Sequence, residues 1–349
     1  MRTIAAATFA CVVLLIAACG ARAGQADIGH SQITVHYGTT RVPSTSTSGH
    51  YGTEAGPLRY GSCTVSIPRD HRMGALESPR WPQSPNPDRH VVLLEVDACD
   101  ALSFAERIQT ELQSAEGDGL LFVHGFNVSF TDAARRSAQL SYDLAFRGSS
   151  SFFAWPSRAS LRPAAYRDDE LSVAAAQPSF DRFVNQLSTT IAPRKLHILS
   201  HSMGNRLVAN YLKDISQERA RGIGQVLLTA PDIDAAVFRD QIVPAMLGKG
   251  MPVTLYVSDH DRALAISREI HEGAQRAGDA RGNVIVNPPM DTIDASDVDT
   301  SFIGHSYYGD QRSVLSDMYY LMRFALPPSE RHGLQAITDL NGSYWRMAP

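Results

Sequence analysis

The stretch Leu196-His197-Ile198-Leu199-Ser200-His201-Ser202-Met203-Gly204-Asn205-Arg206-Leu207-Val208-Ala209 holds the residues with the clearest chemistry in this chain. An apolar run leads into Ser-His-Ser-Met-Gly and then into residues at helical spacing. The segment therefore reads as strand, tight turn and helix, with Ser202 at the apex. A serine in that turn presents its hydroxyl beyond the carboxyl end of a strand. Small residues two before and two after it, here Ser200 and Gly204, let the helix pass close to the strand. The pattern is a variant of G-x-S-x-G with Ser in the first small position, and the chemistry it offers is nucleophilic attack by Ser202.

A hydroxyl is a poor nucleophile at neutral pH. It needs an imidazole to take its proton and a carboxylate to hold that imidazole in the right tautomer. In this kind of elbow the three follow in the order serine, acid, histidine. After the apolar run Val253–Val257 comes Ser258-Asp259-His260-Asp261-Arg262, and Phe302-Ile303-Gly304-His305-Ser306-Tyr307-Tyr308 precedes the last helical stretch. His305 is the expected base, because Gly304 and Ser306 flank it in a loop after the last expected strand. His332 lies in a polar tail behind Pro327-Pro328, and His260 adjoins the acid. His201 should point away from Ser202 and pack beside the pocket or line it. Asp261 is the expected acid, since it opens a helix and should stand closest to the strand end. Asp232 or Asp234, in Pro231-Asp232-Ile233-Asp234, is the alternative, and Asp259 a further one. Aspartates not used in this way serve as helix N-caps.

The negative charge that develops on the substrate oxygen needs two backbone N–H donors. Met203, directly after the nucleophile, supplies one. Phe126 supplies the other from His124-Gly125-Phe126-Asn127, which follows the apolar run Gly119–Val123, and Gly125 allows the backbone to approach a ligand. His124, Gly125 and His201 are the expected pocket residues, and Trp155, at the end of its strand, is either a further one or a core aromatic. No metal or cofactor is expected: there is no H-E-x-x-H and no Gly-rich phosphate cradle. The run Asp291, Asp294, Asp297, Asp299 lacks the regular spacing of a calcium loop and reads as a solvated loop with a short cap.

The elements that must position these groups alternate along the chain. Strands are expected at 63–67, 90–96, 119–123, 151–154, 195–199, 225–228, 253–257 and 283–286. Helices are expected near 101–114, 131–147, 168–191, 203–213, 262–277 and 312–325. Continuously apolar strands joined by helices imply a mostly parallel central sheet of about eight strands with helices on both faces. Such sheets bind ligands beyond the carboxyl ends of their strands. Residues 61–326 would form this domain. Residues 20–60, rich in Gly, Ser and Thr, read as a flexible tether with one strand at Ile33–His36, and 327–349 as a C-terminal tail.

Arg2 and the apolar run that follows read as an export signal, and Ile16-Ala17-Ala18-Cys19 as a lipobox whose Cys19 becomes the lipidated first residue. Cleavage after Ala21-Arg22-Ala23 is the alternative. Either route places the chain outside the cytoplasm, in a bacterial envelope, as an outer-membrane lipoprotein or in the periplasm. Cys63 and Cys99 then remain as a pair in an oxidising compartment, and a disulfide between them is expected. With 32 basic and 36 acidic residues the net charge is −4, which gives no electrostatic reason to bind nucleic acid.

Taken together, Tyr60 to Pro68, Phe122-Val123-His124-Gly125-Phe126-Asn127, Trp155-Pro156-Ser157, Ser200 to Gly204, Ala230 to Asp234, Tyr256 to Leu264 and His305 to Tyr308 resemble the α/β-hydrolase superfamily. More narrowly, they are similar to a bacterial esterase/lipase-like branch of it. The resemblance implies the α/β-hydrolase fold and a Ser202–Asp261–His305 triad, and it supplies no substrate. The expected activity is hydrolysis of a carboxylic ester, on a small molecule or a lipid, through an acyl-enzyme. A lipase, thioesterase or amidase would use the same machinery. A catalytically silent hydrolase fold serving as an envelope scaffold is the alternative of another class.

Overall fold

The computed structural model describes residues 29–45, 50–160, 162–298, 312–340 and 342–348. The signal segment with Cys19, and His305, lie outside the described residues. Eleven strands form one sheet: β1 His30–Pro43, β2 Tyr51–Pro68, β3 Val92–Cys99, β4 Gly119–Val123, β5 Ser149–Ala154, β6 Leu196–His201, β7 Ile223–Thr229, β8 Val253–Val257, β9 Asp291–Asp294, β10 Leu334–Asp339 and β11 Gly342–Met347. Their order is β10-β11-β9-β8-β7-β6-β4-β5-β1-β2-β3. All neighbours from β11 through β1 run parallel, and the antiparallel pairs β10–β11, β1–β2 and β2–β3 stand at the two ends.

The central strands are covered on both faces. β4, β5, β6 and β8 are buried at every position. Helices α1 Ala101–Ser114, α2 Phe130–Asp143, α3 Pro163–Ile191, α4 Gly204–Asp214, α5 Gln217–Ala220, α6 Ala235–Val237, α7 Val243–Leu247, α8 Arg262–Ile270 and α9 Arg312–Phe324 connect or flank them. Neighbouring strand residues point to opposite faces. Phe153 joins Phe104, Phe180, Phe183 and Leu207 of α1, α3 and α4, whereas Phe152 joins Phe130 and Met318 of α2 and α9. Polar starts fix the helices: Asp100 accepts from Ser103 N at 2.8 Å, and Ser129 accepts from Asp132 N at 3.1 Å. The segment 235–250 is the crossover from β7 to β8, with Phe238, Val243 and Met246 in the core.

Four expectations are corrected by this architecture. Most of the expected tether is sheet: residues 35–41 of β1 are all buried, because β1 pairs with both β2 and β5. Its small residues serve packing. A Cβ on Gly38 would stand 2.4 Å from the ring of Phe183, so the glycine is what lets α3 lie on the strand. The expected tail is also sheet, since β11 pairs with β9 through Trp345 opposite Ile293 and Arg346 opposite Asp294.

The Asp-rich run is correspondingly no solvated loop, and the strand expected at 283–286 is displaced to Asp291–Asp294. Its first two carboxylates are paired: the buried Arg331 donates to Asp291 at 3.2 Å, as well as to Asp317 of α9 at 2.9 Å, and Arg346 lies 3.2 Å from Asp294. Finally, Cys63 and Cys99 are both free thiols. Cys63 stands opposite Val96 and Cys99 opposite Tyr60. That offset of three residues is roughly 10 Å of strand, beyond the span of a disulfide. It also puts the two thiols on opposite faces, so that Cys63 lies in one apolar cluster and Cys99 packs against the other.

Candidate active site

Ser202 sits in the turn between β6 and α4 with φ at +49°, a left-handed backbone that an L-residue adopts only when its surroundings impose it. Those surroundings are visible. Ser202 N donates to Thr229 O of β7 at 3.0 Å, and Ser202 O accepts from Asn205 N at 3.1 Å and from Asp232 N at 3.2 Å. Asn205 closes the turn from within: its Nδ2 donates to Ser202 O at 3.0 Å and to Thr229 O at 3.1 Å, and its Oδ1 accepts from Ser200 Oγ. The serine in the first small position thus holds the residue that clamps the nucleophile. Gly204 is equally constrained, because a Cβ there would stand 2.4 Å from His124 O.

The loop after β4 comes up against this turn. A Cβ on Gly125 would lie 2.8 Å from Ser202 Cβ and 2.9 Å from His201 Nδ1, so only glycine lets the backbone of His124-Gly125-Phe126 reach the nucleophile. Met203, the residue after Ser202, precedes the first turn of α4, where unpaired N–H groups point outward. Gly125 is therefore packed against Ser202, with Phe126 next to it in the loop and Met203 next to the serine in the turn.

His124 and His201 are buried beside Ser202. Burial lowers the pKa of each imidazole to about 3, helped by the charge of Arg41 at His124 and of Arg136 at His201. Both are neutral at physiological pH. Trp155 is wholly buried, so it supports the pocket from behind instead of lining it. Its ring stacks on His124 at 5.0 Å, and its Nε1 donates to His124 O at 2.8 Å.

Asp261 lies directly after β8, half-buried, and its Oδ1 accepts from Leu264 N at 3.0 Å as the N-cap of α8. Its turn is stitched to the chain leaving β9: Asp259 N donates to Ser296 Oγ at 3.0 Å, and His260 Nδ1 lies 3.0 Å from Ser296 O. The segment that runs on to His305 therefore leaves the same sheet edge, next to the acid turn. Since β6, β8 and β9 are parallel, Ser202, Asp261 and the start of the His305 loop all stand at carboxyl ends.

Asp232, the alternative acid, has a different setting. Its Oδ1 accepts from Ser267 Oγ at 2.5 Å and from Arg276 Nε at 2.9 Å. Its Oδ2 accepts from Arg206 at 3.3 Å and from the Tyr166 hydroxyl. Burial raises its pKa, but Arg206 and Arg276, with the two hydroxyls, outweigh that and hold the carboxyl below its usual range. This hub links α3, α4 and α8 beneath the elbow. Sequence reading missed Asn205, Arg206, Arg276, Tyr166 and Ser267. An asparagine and an arginine in the first turn of an otherwise apolar-faced helix were the available signal.

Among the described residues, no group of three or more His, Cys, Asp or Glu is arranged to hold a metal ion. A depression of about 420 Å³ beside α2 and α9, lined by His71, Met73, Tyr142, Asp143, Arg312 and Ser316, contains none of the site residues.

Residues 100–322 match the family model described as alpha/beta hydrolase of unknown function (DUF900). No curated protein gives a significant match. Among solved structures, phospholipase PlaB from Legionella pneumophila is similar at 10% identity, covering 66% of this chain and 68% of that one with a TM-score of 0.34. Carboxylesterase CesB (YbfK) from Bacillus subtilis is similar at 8% identity, covering 61% of this chain and 85% of that one with a TM-score of 0.32. At such distances, what those proteins act on is said of them alone.

Proposed function

Since the chain belongs to the DUF900 family of α/β hydrolases, we propose that it is a serine hydrolase that cleaves a carboxylic ester through an acyl-enzyme on Ser202. The observation that carries this reading is the left-handed backbone of Ser202 with Gly125 packed against it. That pairing puts a hydroxyl and a backbone loop within reach of one carbonyl carbon.

In this reading Ser202 Oγ attacks the carbonyl carbon, and His305 takes its proton and passes it to the leaving alcohol. Asp261 orients His305, and the N–H groups of Phe126 and Met203 receive the oxyanion. Water, activated by the same histidine, then releases the acid. His124 and His201 are too weakly basic to act as the base at neutral pH. The second part of the proposal is export and lipidation at Cys19, which would hold the enzyme at an envelope membrane; loss of labelled palmitate from a Cys19→Ala chain tests it.

The test of the chemistry is labelling by a fluorophosphonate. Wild type is expected to label, and Ser202→Ala to lose labelling entirely. A Ser202→Ala protein that labels like wild type would overturn the assignment. Hydrolysis of p-nitrophenyl esters of increasing chain length then separates an esterase from a lipase, and matched thioester and amide substrates set the bond type.

A further inference from the structure

We infer that Arg41, from the N-terminal strand that lies outside the family match, is a positioning residue that locks the oxyanion loop 124–128 in place. The inference rests on the hydrolase reading above, which makes Phe126 N–H a donor to the oxyanion.

Arg41 is 1% exposed in the middle of the molecule, and its guanidinium is committed to backbone carbonyls. One nitrogen donates to Gly52 O at 2.9 Å and to Ser157 O at 3.2 Å, and another to Val128 O at 2.7 Å. Three segments therefore converge on one side chain: the start of β2, the chain leaving β5 and the oxyanion loop. Burial lowers the pKa of Arg41 to about 10, so it remains a cation at neutral pH, faced by Asp169.

Asp169 of α3 completes the frame. It is fully buried, and its Oδ2 accepts from Ser157 Oγ at 2.6 Å and its Oδ1 from Arg158 N at 2.7 Å. Ser157 Oγ in turn accepts from Val128 N at 3.3 Å. Both backbone groups of Val128 are thus held, one by Arg41 and one by Ser157, while Trp155 holds His124 O at the other end of the loop. Between these anchors Asn127 sits at φ +58°, in the left-handed region, directly after Phe126. A loop fastened on both sides of a strained residue keeps its N–H directions without reorganising when charge develops.

A guanidinium suits this task because its planar fork reaches several carbonyls at once with charge-assisted bonds, which a single ammonium cannot do. The expectation is a defect in the chemical step and not in substrate affinity, because misplacement of a catalytic donor by about 1 Å is enough to cost roughly 10²-fold in rate.

The experiment compares full-length wild type, Arg41→Met, Arg41→Lys, Ser157→Ala and Ser202→Ala by fluorophosphonate labelling rate, steady-state ester hydrolysis and amide hydrogen exchange. Arg41→Met is expected to lose about 10²-fold in kcat with KM within about twofold, and Arg41→Lys to recover part of the loss. Peptides covering 124–128 should exchange faster in Arg41→Met, while peptides covering 204–214 should not, which a general loosening of the fold would not produce. An Arg41→Met enzyme with wild-type kcat and wild-type exchange at 124–128 overturns the inference and leaves the hydrolase reading standing. If wild type itself neither labels nor turns over, the hydrolase reading falls and this inference with it. Should Arg41→Met fail to fold, Ser157→Ala and Arg41→Lys are read in the same way and decide the question.

Discussion

Asp232 and Asp261 are the same residue type at the carboxyl ends of adjacent parallel strands, β7 and β8, yet the molecule treats them oppositely. Asp232 is 1% exposed and is saturated by two arginines and two hydroxyls. Turning it toward an imidazole would leave the buried Arg276 without its carboxylate and Arg206 with Glu170 alone, a cost of several kcal/mol. Asp261 is half-buried at the rim and shares in the turn stitched to the segment leading to His305. Asp232 is committed to a buried ionic hub, whereas Asp261 caps α8 through Leu264 N at the sheet edge. Position after a strand nominates an aspartate, and its partners decide its use.

The sharpest way to break this comparison is Asp261→Asn. Asn caps a helix about as well as Asp, so α8 and the melting temperature should be preserved. An amide cannot stabilise the imidazolium, so kcat is expected to fall by about 10³–10⁴-fold. A near-normal rate would remove Asp261 from the triad. Next in size is Asp232→Ala, which takes the carboxylate from the buried Arg276 and leaves Arg206 with Glu170 alone. It should destabilise the fold by about 3–5 kcal/mol in chemical denaturation, while the fraction still folded labels with fluorophosphonate. Unchanged stability would mean that the hub is ornamental.

The smallest effect is on pH dependence. The folded pKa of Asp232 lies below its unfolded value near 4, so its contribution to stability is present above about pH 4 and is lost as pH falls through the depressed folded value. The melting temperature of wild type should therefore drop more steeply on acidification below pH 4 than that of Asp232→Asn. Parallel curves would show that the carboxylate is not held by its arginines.

What sequence could and could not reveal follows the same division. The boundaries of β4 and β8 are plain in Gly119–Val123 and Val253–Val257, because strands covered on both faces need an unbroken apolar run. The elbow and the Gly125 loop are local features, and they too can be read along the chain. Only Ile33–His36 of β1 is legible, because small and polar residues interrupt the rest, and β9 is hidden because two of its four residues are acidic. Gly38 makes room for Phe183, and Asp291 and Asp294 are neutralised by Arg331 and Arg346 from the far end of the chain. Arg41 and Asn205 are invisible for a related reason: their partners are mostly backbone carbonyls, and a carbonyl carries no sequence signal. The expected disulfide failed on register, a quantity that cysteine counting does not contain.

The sheet begins at His30, eleven positions beyond Cys19. Even a fully extended peptide of that length spans at most roughly 40 Å, about the width of a small domain. If Cys19 bears the lipid proposed above, the domain is held on a short leash, within about that distance of the bilayer surface. The leash would be tied to β1, so the strand under any pull from the membrane is the one that carries Arg41 beneath the oxyanion loop.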